Sequence, residues 1–303
     1  MPKKNLLIFV LIITVIAAVL SVTAVYRIKT ENTNNTDAAQ TEPQRIVSLA
    51  PNITEILFAL GLDEKIVAVS SDSDCPPAAK EKEKVGSFWQ PSTERIIACK
   101  PDLVITEWFE QQNLVAQSLK RLNYKVLTFR LTNLGELSAA IEQIGQACFR
   151  QQQAAELVQK IENRLNDLRN EFDVPDKPKV LWVVEQQPTR VAGTETFVSE
   201  LIKFAGGINA IGPTVQHYPQ LSSEEILASK ADIIIQSSMT QTSITQQQKS
   251  AEQFWSRYPS LAAVRNKRIY VIESDMMLRL GPRIVDGVEV IGKLIHPELF
   301  EQK

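Results

Sequence analysis

Two glutamates, Glu94 and Glu224, hold the same place in two copies of one short phrase. Residues 91–105 read PSTERIIACKPDLVI and residues 221–235 read LSSEEILASKADIII, an offset of 130 that retains Ser92/Ser222, Glu94/Glu224, Ile96/Ile226, Ala98/Ala228, Lys100/Lys230, Asp102/Asp232 and Ile105/Ile235. A serine just ahead of an acidic, then apolar, run marks a helix start, where a carboxylate gains from the helix dipole. That role suffices for either glutamate taken alone. In the second copy, however, the residue three after Ser222 is Glu225, the capping-box position, which leaves Glu224 for another task. A matched pair of exposed carboxylates, one per half, suits docking on two symmetry-related cations of a dimeric partner.

Aromatic residues form the second group with chemical potential. Phe88, Trp89, Trp108, Phe109 and Tyr218 fall among polar residues at the ends of expected strands or helices. Aromatics there either plug gaps between helices or grip a flat, bulky ligand at the carboxyl edge of a sheet. Trp182, inside an apolar strand, is expected to be core, and Trp255 to pack a helix. The stretch SDMMLRLGPR, 274–283, follows the strand RIYVI and precedes the last helix, so Asp275 and Arg279 are candidates for amide, carboxylate or phosphate groups of a ligand. Arg283, at the helix start, reads as an ion pair within its own lobe.

Other chemistries lack their residues. Histidines number 2, His217 and His296, too few for a site built from several imidazoles, and His296-Pro297 reads as structural. The sequence holds no G-x-G-x-x-G, P-loop or G-x-S-x-G, and no Ser/His/Asp or Cys/His set, so an enzyme is not expected. A formal net charge of -2 argues against a nucleic-acid binder. The 3 cysteines, Cys75, Cys99 and Cys148, leave at least one unpaired, with Cys99 expected to be a small buried residue and Cys75 in a loop.

The elements that must position these groups alternate. Each copy of the phrase reads as short helix, tight turn and buried strand of the parallel-sheet type. A second echo pairs RIVSLAPNITEILFALG, 45–61, with the stretch from KVLWVVEQ to FVSELIKFAG, 179–206, with Gly61 and Gly206 as helix stops. The pattern predicts strands at 46–50, 66–70, 103–106 and 125–129, with helices at 52–60, 92–98 and 111–122. The second half repeats it, with strands at 179–185, 232–236 and 268–272 and helices at 195–205, 222–228, 250–257 and 283–295. Apolar residues three and four apart extend from Leu137 to Phe172 with a lapse near 150–153, so two consecutive helices are predicted, the second over about 151–172. The fold class is α/β: two similar lobes, each with a mostly parallel sheet, joined by a long rigid helix, with a ligand cleft between them. The boundaries read as 45–133, 134–177 and 178–303.

Ahead of the lobes, Lys3 and Lys4 precede a twenty-residue apolar run, Leu6 to Val25. Residues 1–27 read as a signal peptide or a membrane anchor, and both deliver the body of the protein outside the cytoplasm. Val22-Thr23-Ala24 offers a cleavage site, and no cysteine near it supports a lipoprotein. Residues 28–44 form a polar linker.

Three segments carry a resemblance: RIVSLAPNITEILFALGL, then SDCPPAAKEKEKVGSF with PSTERIIACKPDLVI, then LRLGPRIVDGVEVIGKLIHPEL. Together they resemble the substrate-binding proteins of ABC importers for cobalamin, haem and iron-siderophores, most of all the periplasmic cobalamin-binding branch, from about Arg45 to Leu299. The resemblance implies a monomer that delivers a metal chelate to a permease dimer and its ATPase. It implies no cofactor or metal site of the protein's own, since the ligand carries its cobalt or iron. Glu94 and Glu224 match the family's permease-docking glutamates. Phe88, Tyr218 and Asp275 match ligand contacts, and Trp89, Trp108 and Arg279 join them as candidates. Asp72 and Arg190 stand where the cobalamin-binding relative has aromatics, a departure that favours a smaller or more anionic chelate. A ferric siderophore or haem, or a membrane-anchored sensor or scaffold that keeps the fold, are the alternatives.

Overall fold

The computed structural model describes residues 41–238, 243–273 and 279–300. The chain divides into two compact units, Met1–Glu42 and Pro43–Lys303, and the second holds both lobes. The apolar run expected to be a signal or anchor lies outside the described residues.

The first lobe contains strands β1 (Ile46–Ser48), β2 (Ile66–Val69), β3 (Glu83–Lys84), β4 (Leu103–Glu107) and β5 (Val126–Phe129), with helices α1 (Pro51–Ala59), α2 (Thr93–Ala98) and α3 (Glu110–Arg121). The strands are all parallel, in the order β3-β2-β1-β4-β5. The second lobe contains β6 (Lys179–Gln186), β7 (Thr189–Val191), β8 (Ile208–Asn209), β9 (Ile233–Ser238) and β10 (Ile269–Glu273). Its order is β10-β9-β6-β7, with β8 also beside β6, and only β7 runs antiparallel. Strands β2-β1-β4-β5 thus correspond to β8-β6-β9-β10. In both lobes the chain first builds to one side of its opening strand and then crosses to the other.

Helices α4 (Leu134–Ala147) and α5 (Gln151–Glu171) join the lobes. At 1.5 Å per residue, the 21 residues of α5 span roughly 32 Å. The break between them is where the apolar pattern lapses, with Phe149 at a φ of 58°. Val158, Ile161, Leu165 and Leu168 of α5 are buried, as are Leu137, Ile141 and Ile144 of α4. These residues belong to one apolar cluster that also takes in Ile53 and Leu57 of the first lobe. The cluster continues into Trp182 of β6 and into Ile284 and Val288 of the last helix, α10 (Ile284–Ile295). Two smaller clusters cover the opposite faces of the two sheets.

Among the described residues the remaining α-helices are α6 (Phe197–Phe204), α7 (Ser223–Ala228), α8 (Ile244–Trp255) and α9 (Ala262–Arg265). The repeated phrase occupies equivalent places, α2–β4 and α7–β9. Lys100 and Lys230 take the same left-handed turn, φ 47° and 49°. Asp102 then accepts hydrogen bonds from the backbone N–H of Gln44 (2.7 Å) and Arg45 (3.0 Å), and Asp232 accepts one from Lys179 N–H (2.9 Å). Each aspartate therefore fastens the entry of its lobe's first strand. Gly61 and Gly206, the expected helix stops, have φ of 69° and 75°.

Some elements differ from expectation. Helix α1 starts at Pro51, with Ala50 as its N-cap and no side-chain cap, because proline at the first position presets the helical φ. Helix α8 begins at Ile244 rather than 250, since its first turns are polar and only Ala251, Phe254 and Trp255 are buried. Arg283 pairs with Glu55 of the first lobe, not within its own, at 2.6 and 3.0 Å. Glu55 is 5% exposed, so its charge depends on that partner. Arg283→Leu should therefore cost about 2–3 kcal/mol of stability by leaving a buried carboxylate unpaired, with Glu55→Leu/Arg283→Leu recovering most of the loss. Urea unfolding of the two variants measures both effects.

Candidate functional site

The carboxyl ends of β1 and β4 are neighbours at the point where the first lobe's strand order reverses, the place where open α/β sheets bind ligands. The loop that follows β3 reaches the same place. The loop 85–92 is closed by a bridge between Gly86 and Pro91. Gly86 has a φ of 109°, and a side chain there would collide with the Gln90 carbonyl and approach Pro91 Cα to 2.9 Å, so only glycine permits the loop. Phe88 is anchored at both backbone ends: its N–H donates to Asp72 Oδ2 (2.5 Å) and its carbonyl accepts from Gln112 Nε2 (3.0 Å). Gln112 is fully buried, also donates to the Leu49 carbonyl at 2.9 Å, and accepts from the Thr106 hydroxyl, which ties this loop to the ends of β1 and β4.

The result is a compact aromatic cluster. Trp89 meets Phe88 edge-on at 5.0 Å between ring centres, and meets Phe109 at 4.7 Å. Phe88 and Phe109 lie 5.9 Å apart. Trp89 is 56% exposed and Trp108 is 55% exposed, with the Arg130 guanidinium 5.4 Å from the Trp108 ring centre. Phe109, next to Trp108 in the chain, thus belongs to the cluster. Tyr218 lies in the second lobe, partly exposed, with its phenol pushed up by burial. It follows residues Thr214–Gln216, which with Arg190, Pro219 and Gln220 line a polar depression of about 480 Å³. Arg190 pairs with Glu185 at 3.4 Å. Trp182 is fully buried, as expected of a core residue, and so is Trp255.

The segment entering α10 docks on the first lobe at the same place. Arg279 Nη1 donates to Asp74 Oδ1 at 2.5 Å. Burial works against the Asp74 charge, but the arginine's hydrogen bond and charge outweigh it and hold the carboxyl below the usual range. Asn52, in the first turn of α1, donates to the Leu280 carbonyl (3.3 Å) and to Glu107 Oε2 (3.0 Å). Asp275 lies outside the described residues. Among the described residues no group of three or more His, Cys, Asp or Glu is placed to hold a metal ion.

Glu94 and Glu224 are both exposed, on the first turns of α2 and α7. Ser222 and Glu225 form the capping box, as read, and Glu224 makes no hydrogen bond or ion pair among the described residues. In the first lobe the third helical residue is Arg95, so no box forms; Ser92 caps Arg95 N–H and donates its hydroxyl to Glu94 Oε2 at 3.0 Å. Backbone and Ser92 hydrogen bonds hold the Glu94 carboxyl below its ordinary range.

A model of periplasmic binding proteins matches residues 46–276. The chain belongs to the periplasmic binding protein family. It is 28% identical over 289 residues to the uncharacterized ABC transporter substrate-binding lipoprotein YvrC of Bacillus subtilis strain 168, covering 92% of this chain and 89% of that one. Among solved structures, a possible iron-binding periplasmic protein from Staphylococcus epidermidis superposes with a TM-score of 0.75 at 28% identity, over 84% of this chain and 100% of that one. The periplasmic vitamin B12-binding protein BtuF of Vibrio cholerae does so at 0.70 and 26%, over 86% and 99%. The family and two-lobed α/β fold expected from the three segments are therefore those of this protein, and the family is one of binding proteins.

Sequence reading overlooked Asn52, Glu55 and Glu107. A charged residue closing an otherwise apolar strand, as Glu107 closes LVITE, was the available signal. Asp72, noted only as a departure, holds the backbone of Phe88. Burial pushes the Glu107 carboxyl up from 4.5 to about 7, against a smaller lowering by Asn52. With the folded value above the unfolded one, the folded state binds the extra proton. Stability should then be complete below about pH 4.5 and decline as pH rises through about 7, by at most about 3 kcal/mol. Urea midpoints at pH 5 and pH 8 should differ for the native chain and converge in Glu107→Gln.

Proposed function

We propose that this protein is the extracytoplasmic substrate-binding component of an ABC importer, and that it delivers a corrinoid or related metal chelate to a permease dimer driven by an ATPase. The observation that carries the reading is the equivalence of Glu94 and Glu224. They are two exposed carboxylates on topologically matched helices, one per lobe, each just ahead of its lobe's matching strand, β4 or β9. A two-fold permease with one basic patch per subunit would meet one glutamate on each lobe. The names of the vitamin B12-binding and possible iron-binding relatives support the ligand class.

The ligand would lie against Phe88, Trp89 and Trp108 on one side and Tyr218 on the other, with Arg279 at the junction. Phe88 and Phe109 support Trp89, which offers an apolar face to a flat ring system. Where cobalamin binders have aromatics, Asp72 is engaged by the Phe88 backbone and Arg190 stands beside a polar depression. This favours a chelate with anionic or amide edges over a wholly apolar one. Residues 1–27 would export the chain and either leave it free in the periplasm or tether it to the inner membrane.

Calorimetric titration with cyanocobalamin, cobinamide, haemin and a ferric siderophore is expected to show tight binding of one class, weakened at least about tenfold by Phe88→Ala through the loss of a buried aromatic contact. No heat with any of them would reject the chelate reading. Charge reversal of both docking residues, Glu94→Lys/Glu224→Lys, should leave that affinity intact yet abolish stimulation of the reconstituted transporter's ATPase. Undiminished stimulation would remove the docking assignment.

A further inference from the structure

Three carboxylates meet at the junction of the two lobes, and two of them have a cation. Glu55 is held by Arg283 and Asp74 by Arg279. Glu107 is the third. It ends β4, one residue before the exposed Trp108, and lies beside Asn52 from the loop end of β1, at the point where the strand order reverses. Its Oε2 accepts the Asn52 amide at 3.0 Å. Its Oε1 has no partner among the described residues and is not sealed from solvent. One oxygen is thus fixed and the other is presented.

The charged groups on the packed elements are engaged elsewhere. Glu55 of α1 and Arg283 at the start of α10 close on each other, Arg279 turns to Asp74, and Arg130 after β5 lies over the Trp108 ring. Gln112 of α3 bonds Thr106 and two backbone carbonyls. None of these groups pairs with the Glu107 carboxyl, and burial without a cation favours its neutral form. A neutral carboxyl whose Oε2 accepts from Asn52 carries its proton on Oε1.

We propose that Glu107 is the group by which this crevice reads a hydrogen-bond acceptor on its ligand. As a carboxylic acid it donates from Oε1 to an amide or carboxylate oxygen at the edge of the chelate, and binding takes up a proton from solvent when the free protein is ionised. The proton remains on Glu107 and no bond to the ligand forms or breaks. This inference rests on the chelate-binding reading, because it assigns a specificity residue within that site. It also gives a reason for the carboxyl having no cation: a paired arginine would keep it ionised and leave it no proton to donate.

The test uses the full-length protein and the four probes named above, with affinity followed by tryptophan quenching and proton uptake by calorimetry in buffers of different ionisation heat. For the probe that binds, native affinity should fall about tenfold between pH 6 and pH 8, with uptake of nearly one proton per site at pH 8. Glu107→Gln, a neutral residue that keeps a donor, should bind with little pH dependence and no linked uptake. Glu107→Ala should bind about tenfold more weakly than the native chain at pH 6, the loss of one hydrogen bond to a desolvated group. A native affinity that is flat or rises with pH, or a fall retained in Glu107→Gln, overturns the inference and leaves the chelate reading standing. A native chain that binds no probe at any pH overturns both.

Discussion

The structure depends on one apolar core that does not stop at the boundary between its lobes. Ile53 and Leu57 from α1, Ile144 from α4, Ile161 and Leu165 from α5, and Trp182, Ile284 and Val288 from the second lobe belong to a single cluster. Two lobes linked by a flexible strand can swing apart at little cost. Here, opening would expose the buried faces of both linking helices, at about 25 cal/mol for each Å² of apolar surface. Helix α5, with a complete hydrogen-bond ladder, adds stiffness along its length. A ligand crevice between the lobes would then be shaped before a ligand arrives, with little of the free energy of binding consumed in closing it.

Polar contacts refine what the core imposes. The segment entering α10 reaches back to the first lobe through Arg279–Asp74, Arg283–Glu55 and the Leu280 carbonyl bonded to Asn52. Ion pairs of this kind contribute little net stability, but Glu55 is buried and costly to leave unpaired, so the Arg283–Glu55 pair fixes register between the surfaces it joins. These contacts bring a second-lobe segment to the switch point of the first-lobe sheet. The same spot receives the Phe88 loop, which Gly86, Asp72 and Gln112 hold in place from three sides.

The internal repeat has two layers of meaning. Lys100/Lys230 and Asp102/Asp232 perform a structural task that is the same in each lobe: a left-handed turn, then a carboxylate that clamps the incoming first strand. Glu94 and Glu224 clamp no strand: Glu94 accepts the Ser92 hydroxyl beside its own helix start, and Glu224 leaves the capping box to Glu225. Their matched exposure on α2 and α7 is what the docking proposal rests on.

Much of this architecture was legible in the sequence because it rests on local chemistry and periodicity. The buried strands LVI and III, the serine caps and the two linking helices each follow from a few adjacent residues, and the α/β class follows from their alternation. Short polar elements were not legible: β7 reads as TRV and α8 opens with ITQQQKS, so their form comes from neighbours rather than pattern. The site divides along the same line. The aromatics announced themselves by type and place. The partners of Arg283 and Arg279 lie 228 and 205 residues away, and Glu107 gains its character only from the desolvation that packing brings. The sequence by itself determined the strongly periodic elements and the aromatic and charged side chains that the chain can offer. Tertiary structure alone decided which charges are paired and which carboxyl is buried without a cation, because pairing and burial are properties of what meets in space.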